Sequence, residues 1–332
     1  MNNVKLGVVL SGGGAKGAYE AGFLKALSEF NIQPDAISGT SIGALNGAIY
    51  ASTKDTKKSA KLLEELWNDL AVSSVLKVDE KKVILNIIEV FSFFSHMPIS
   101  KLSKIIMTAL KTKESKEGFL TQLPILDRLQ MFANEESLIN GLPFYVGITK
   151  SKGNLVDLLN FFGFGDEEAV FKKIQDLNKE DIHKTIMASA ALPLFFDAIE
   201  LDGEMYRDGC LGSTENEWGN TPAKPLIVDE KCTHIIVCHL NEGSFFNRYD
   251  PIFKNTSIIE IRPENGTFLS VMDPLKFNVE KIDIWMKQGY HDSKRILRDS
   301  LKAIFENKQR EITESFAEEA VDKLKKRKFS LN

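Results

Sequence analysis

The five residues Gly39-Thr40-Ser41-Ile42-Gly43 fit a G-x-S-x-G pattern. That spacing serves nucleophilic chemistry when the serine stands on a strained strand-to-helix turn, with its hydroxyl lifted above the edge of a sheet. Glycines two positions away on either side let the neighbouring strand and helix approach closely. The flanks agree with this reading. Ala36-Ile37-Ser38 reads as a short strand, and Ala44–Ala51 as a helix. Ser41 then lies at a helix N-terminus, where unbonded N–H groups and the helix dipole favour an alkoxide. An ordinary serine N-cap after a tight turn would occupy the same place.

A second glycine cluster, Gly12-Gly13-Gly14-Ala15-Lys16-Gly17, follows the apolar run that ends at Leu10. Two functions compete for it. Gly12, Gly14 and Gly17 fit G-x-G-x-x-G, which would let a dinucleotide lay its pyrophosphate on the loop. Alternatively, the loop's backbone N–H groups form an oxyanion hole, stabilising charge that appears only in the transition state of acyl transfer. The dinucleotide reading requires an acidic residue at the end of the second strand. Asp35 comes too early, and the Gly39–Gly43 turn occupies that place. No Gly-Lys-Ser/Thr follows the glycines, so a P-loop is excluded. Lys16 is expected to hold the loop, to attract an anionic head group, or simply to be a solvated lysine in a first helical turn.

A serine nucleophile needs a base. The histidines are His96, His183, His234, His239 and His291. In a Ser, Asp, His chain order the last three could serve. His234 and His239 border a strand-like run, however, and His291 falls in a helical segment. Tyr206-Arg207-Asp208-Gly209-Cys210 instead ends a strand in a glycine turn that would expose a carboxylate. An aspartate within hydrogen-bond reach of a serine can act as base directly. A plain Asp-Gly turn is the competing account, and Asp202-Gly203 shows the same dipeptide just upstream.

The elements that must position these groups alternate. Val4–Leu10 reads as a buried strand, Ser11–Gly17 as a loop and Ala18–Phe30 as a helix, followed by the strand and helix around Ser41. This order predicts an α/β fold, a three-layer α/β/α arrangement with a mostly parallel central sheet. Residues 56–135 read as mostly helical. Pro143–Lys150 and Asn154–Phe162 are expected to form a hairpin around a Ser-Lys-Gly turn. Asp181–Ala190 reads as a helix, and Ala198–Asp208 holds a strand with a turn at Asp202-Gly203. His234–Leu240 and Ser257–Ile261 read as buried strands, and 277–328 as one or two helices.

Glycine loop, elbow and Asp208-Gly209, in that chain order, resemble the patatin-like phospholipase family as found in bacteria. Ala188-Ser189-Ala190-Ala191-Leu192-Pro193 and Gly289-Tyr290-His291-Asp292 are also similar to it. The resemblance covers roughly 4–295, strong at the motifs and loose between them. It implies a three-layer fold with helical additions, a 4–295 acyl hydrolase domain and a 296–332 helical tail. It also implies a Ser41–Asp208 dyad without histidine. Gly12–Gly17 would be the oxyanion loop, Gly39, Gly43 and Gly209 the motif glycines, and the substrate a phospholipid or another acyl ester. No cofactor or metal is implied. Cys210 departs from the family's small residue, and Lys16 replaces an arginine common there, keeping the charge but not the planar fork. The remaining alternative is a non-catalytic nucleotide- or lipid-binding α/β module built on the glycine loop.

Bulk properties narrow the classes further. The chain has 332 residues, 43% hydrophobic, with a formal net charge of -4. That allows a large core and gives no basic footprint for nucleic acid. Cys210, Cys232 and Cys238 form neither a disulfide framework nor a zinc pattern. No stretch matches a signal peptide or a bilayer span of about 20 apolar residues. A cytoplasmic protein is expected, with peripheral membrane contact at most. Lys81–Lys111, rich in Val, Ile, Leu and Phe and flanked by lysines, reads as a lid or interfacial helix, or as a helical hairpin packed on the core. The basic run Lys323–Lys328 would touch anionic lipid or complement a helix end.

Overall fold

A computed structural model describes residues 4–72, 123–153, 156, 157, 160, 167–193, 195–211, 218–270 and 273–300. The 81–111 segment, read as a lid or interfacial helix or as a packed helical hairpin, and the tail from 301 onward lie outside them.

The molecule is built on an eight-stranded mixed sheet. In chain order its strands are β1 (Leu6–Leu10), β2 (Ala36–Thr40), β3 (Phe144–Lys150), β4 (Ala169–Lys173), β5 (Ile199–Leu201), β6 (Glu204–Asp208), β7 (His234–Cys238) and β8 (Ser257–Ile261). They lie in the order β5-β6-β3-β2-β1-β7-β8, with β4 also paired to β3. The run β3-β2-β1-β7-β8 is parallel, and the β4, β5 and β6 pairings are antiparallel. β1 and β2 are nearly continuous runs of buried residues, as strands covered on both faces must be.

Helices α1 (Ala18–Glu29), α2 (Ile42–Ala51) and α3 (Thr56–Val72) cover one face. Phe23, Leu24, Ile49, Leu63 and Trp67 from these helices are fully buried in the larger core. The opposite face carries a smaller core in which Val9, Ile235 and Val237 meet Leu226, Phe246 and Phe253. The expected α/β/α layering is therefore present, with antiparallel strands confined to one side of the sheet.

The hairpin expectation needs correction. β3 forms where Pro143–Lys150 was expected, and its antiparallel neighbours are β4 and β6; of the expected partner 154–162 only residues 156, 157 and 160 are among those described. Val156, Asp157 and Asn160 are helical. The Asp157 N–H donates to Gly153 O at 2.9 Å, closing a helical turn right after the strand. Its buried carboxylate then accepts from Lys152 N–H at 2.9 Å, Ser151 Oγ at 2.5 Å and Arg207 Nε at 2.6 Å. Burying this carboxylate among donors stabilises a helical turn over a strand whose alternation is only partly apolar. The β5–β6 hairpin does turn at Asp202-Gly203. Both residues have positive φ, 52° and 77°, as a two-residue hairpin turn requires.

Downstream of the strands, residues 279–300 form one helix, α4. It crosses the expected boundary at 295–296 without a break, and Ile282, Trp285 and Leu297 are buried in the main core. Two glycines set its distance from α1. A Cβ on Gly22 would strike the Met286 carbonyl, and one on Gly289 would strike the Tyr19 carbonyl. Gly289→Ala is expected to lower stability by about 1–3 kcal/mol, the usual penalty of overpacking. Urea unfolding of the variant and the parent measures this directly, and an unchanged midpoint would contradict the close crossing.

Candidate active site

β2 ends at Thr40 and α2 starts at Ile42, so Ser41 stands alone on the turn between them. Its backbone is at φ 57° and ψ −124°. A non-glycine residue held there costs on the order of 1–3 kcal/mol and persists only where its surroundings fix it. Two features fix it. The Ser41 N–H donates to Ser189 Oγ at 2.9 Å, and Ser189 Oγ–H donates to Gly147 O at 2.6 Å. The motif glycines supply the space: a Cβ on Gly39 would collide with the Gly43 carbonyl, and one on Gly43 would lie 2.6 Å from Leu10 O. The Ser41 side chain makes no capping bond, so the ordinary N-cap account does not describe it.

The glycine loop lies against this turn. A Cβ on Gly12 would be 3.2 Å from Ser41 Cβ. Gly14 has φ 59°, and residues 14–17 wind into a 3-10 turn that leads into α1. Not every amide of the expected Gly12–Gly17 set is available. Gly12 N–H donates to Asn220 O at 3.1 Å, and Lys16 N–H to Gly13 O at 3.3 Å. The N–H groups of Gly13 and Gly14 have no acceptor among the described residues.

Lys16 is buried rather than solvated. Its ammonium donates to Asn241 Oδ1 and lies 5.1 Å from the centre of the Phe268 ring. Burial lowers its pKa to about 8, against the pull of Asp273 in the opposite direction. Of the roles open from sequence, the side chain's contacts are those of a tie that holds the loop.

Asp208 ends β6, in register with Ile148 of β3, so its strand is two places from β2. The gap closes because the intervening position is Gly147. A Cβ on Gly209 would lie 2.5 Å from Gly147 O and 3.0 Å from Thr40 Cγ2, so the Asp208-Gly209 turn rides directly over β3 onto the end of β2. The Asp208 carboxylate is fully buried, and its Oδ1 accepts from Cys210 N–H at 2.9 Å. Oδ2 makes no hydrogen bond of normal geometry among the described residues, yet the Ser41 hydroxyl is near enough to favour the charged form. Burial pushes the pKa up to about 6, opposed by the Cys210 N–H, the Ser41 hydroxyl and the Cys210 thiol.

The described histidines stand elsewhere, and His96 lies outside the described residues. His239 follows β7, two strands from β2, so strand spacing alone puts it about 10 Å from the Ser41 turn. Its Nε2 is paired with Glu260 Oε2 at 3.1 Å. His234 is at the opposite, N-terminal end of β7, and His291 is exposed on α4. His183 is held by Ala133 O and Glu135.

An apolar pocket of about 90 Å³ opens at Ser41 and Gly14. Leu45, Ile186, Met187, Phe196, Leu275 and Phe277 are among the side chains that line it. Sequence reasoning missed Ser189, which holds the nucleophile's own amide, and Gly147, which lets the aspartate through. The first lay inside the Ala188–Pro193 stretch, but its role depends on a contact 148 residues away.

The model of the family described as patatin-like phospholipase matches residues 8–217, a span that holds the loop, the elbow and the Asp-Gly turn. The chain belongs to the patatin-like phospholipase family. Relatives match over short stretches. A lysophospholipase nte1 of Aspergillus terreus is 46% identical over 69 residues, covering 19% of this chain and 4% of that protein. A patatin-like phospholipase domain-containing protein of Caenorhabditis elegans, ZK370.4, is 54% identical over 50 residues, covering 15% and 4%. The chain thus spans a small fraction of the curated relatives it matches. Among solved structures, VipD from Legionella pneumophila covers 89% of this chain and 67% of its own, at 17% identity and a TM-score of 0.44.

Two outcomes are expected of this patatin-like site. An aspartate must be ionised to accept a proton, and Asp208 is held up at about 6. kcat/KM for an ester should therefore rise with pH through about 6 and level off above it. A profile flat across that range would exclude Asp208 as the titrating base. Ser189→Ala leaves the buried Ser41 N–H without its acceptor. It should lose about 1–3 kcal/mol of stability in urea unfolding.

Proposed function

We propose that this chain is a lipid acyl hydrolase that cleaves fatty acyl esters of phospholipids or lysophospholipids through a Ser41–Asp208 dyad. The observation that carries the proposal is the convergence of three things at one point. The strained Ser41, the Gly13 and Gly14 amides, which have no acceptor among the described residues, and the mouth of an apolar pocket meet beside a buried carboxylate.

In this reading the acyl chain lies in the pocket and its ester carbonyl sits over Ser41. Asp208 takes the hydroxyl proton as Oγ attacks the carbonyl carbon, and the carbonyl electron pair moves onto oxygen. The Gly13 and Gly14 amides hold that oxyanion, each such donor being worth roughly 3–4 kcal/mol. Collapse expels the alcohol, which leaves with the proton from Asp208. Water, deprotonated by Asp208, then attacks the acyl-enzyme and releases the fatty acid. No cofactor is invoked. The nucleotide-binding alternative fits less well, because a Cβ on Gly14 would collide with the Pro274 carbonyl, and the space at the loop is lined by apolar side chains. Among the described residues no helix is long and apolar enough to cross a membrane, so contact with lipid in this proposal is peripheral.

Labelling with a fluorophosphonate ester and hydrolysis of position-labelled phospholipids test the reading together. Ser41→Ala should abolish labelling. Both Ser41→Ala and Asp208→Asn should lower kcat by on the order of 10³-fold or more. His234→Asn and His291→Asn should leave it unchanged. Equal labelling of Ser41→Ala, or loss of activity only in the histidine variants, would overturn the dyad.

A further inference from the structure

A carboxyl group sits in the core beside the site and takes no part in the chemistry above. Glu20 lies in the first turn of α1, fully buried, on a helix whose neighbouring positions Tyr19, Ala21, Phe23 and Leu24 are also buried. Burying an acid among apolar groups is unfavourable by several kcal/mol unless it is neutral or well bonded. A leucine or alanine would serve packing alone.

The partners of Glu20 belong to the site. Asn46, on the helix that Ser41 opens, donates its Nδ2 to Glu20 Oε2 at 2.9 Å and to Gly17 O at 3.0 Å. Trp67 Nε1 donates to Asn46 Oδ1 at 2.9 Å, fixing which way the amide faces. The backbone N–H of Ser11, where the glycine loop leaves β1, also faces the Glu20 carboxyl. Gly17, at one end of the glycine loop, is thus bonded to a buried pair that bridges α1 and α2, and Ser11, at the other end, faces the same pair. Beyond Trp67 the same chain of contacts reaches the pocket, since its indole stacks on Phe277 at 6.2 Å with the rings 5° from parallel.

We propose that Glu20 is a positioning residue that, with Asn46, sets the glycine loop against the Ser41 turn so that the Gly13 and Gly14 amides point to one oxyanion. The inference rests on the hydrolase reading and adds to it a residue that touches neither substrate nor nucleophile. Burial pushes the Glu20 pKa well above the usual carboxylate range, opposed by Asn46 and by Ser11 N–H. Burial thus disfavours the charged form, and a glutamine has the same shape and keeps an oxygen that can accept from Asn46. A leucine has neither.

The test compares Glu20→Gln with Glu20→Leu on a short p-nitrophenyl ester. The rates are normalised to sites counted by complete reaction with a fluorophosphonate. A purely structural role would lower the number of sites and leave kcat per site alone. The positioning role predicts that Glu20→Gln stays within about twofold of the parent. It predicts that Glu20→Leu keeps its KM while kcat per site falls at least ~10-fold, toward the ~10²-fold that loss of one oxyanion donor costs. Affinity for an apolar trifluoromethyl ketone, whose adduct places a negative oxygen in the hole, should fall by the same factor. Should Glu20→Leu yield no folded protein, Asn46→Ser, too short to bridge Glu20 and Gly17, is read by the same criteria. Parental kcat per site in these variants, with Ser41→Ala still inactive, overturns the role of Glu20 and leaves the hydrolase reading standing. A parent that hydrolyses no ester overturns both.

Discussion

The backbone of Ser41 is the constraint around which the rest is arranged. At φ 57° and ψ −124° a serine relaxes unless it is held, and the force holding it comes from outside its own segment. Ser189, at the end of the helix Lys179–Ser189, reaches over to accept a hydrogen bond from the Ser41 N–H and donates its own hydroxyl to Gly147 O on the next strand. Ser41, the strand beside it and a helix from far down the chain are joined by one hydroxyl. Close approach is the other half of the constraint. Gly39, Gly43 and Gly147 stand where a Cβ would meet backbone or Thr40 Oγ1, so the turn is gripped by main chain rather than by adjustable side chains.

Burial acts differently on the charged groups around this turn. Asp208 is fully enclosed, which raises its pKa toward the working range of a base, while the Cys210 N–H keeps one oxygen oriented. Lys16 is enclosed too, and its ammonium is satisfied by Asn241 and the face of Phe268. The site therefore sits in a low-dielectric wall, where the few aligned N–H groups act strongly. Of the polar groups enclosed there, the Lys16 ammonium is met by Asn241 Oδ1 and one Asp208 oxygen by the Cys210 N–H.

The apolar pocket explains why helices from distant parts of the chain converge here. Leu45 comes from the helix that follows Ser41, Ile186 and Met187 from the helix that ends in Ser189, and Leu275 and Phe277 from the segment before residue 279. The helix that carries Ser189 thus shapes the pocket wall and holds Ser41 at once. Pro274 meets the glycine loop at Gly14, and Phe277 meets Trp67, so the wall and the loop share neighbours.

Much of this could be read from local order. A buried apolar strand, a glycine loop, a helix and then an elbow are short-range patterns, and residues 6–51 fold as their spacing demands. Where the pattern was weak, local reading failed. The 154–162 stretch looked strand-like, yet its described residues Val156, Asp157 and Asn160 are helical, and the Asp157 carboxylate is bonded by Arg207, fifty residues later. Asp208 itself is one of two similar Asp-Gly pairs. What separates them is place: Asp202-Gly203 makes an exposed hairpin turn, while Asp208-Gly209 crosses a glycine strand to reach the elbow. The sequence by itself determined the Ser41 turn and the glycine loop before it, because strain and tight turns need particular residues at fixed short spacings. Only the tertiary structure decided which carboxylate, which hydroxyl and which amides face Ser41, because those partners come from strands and helices brought together by sheet order and burial.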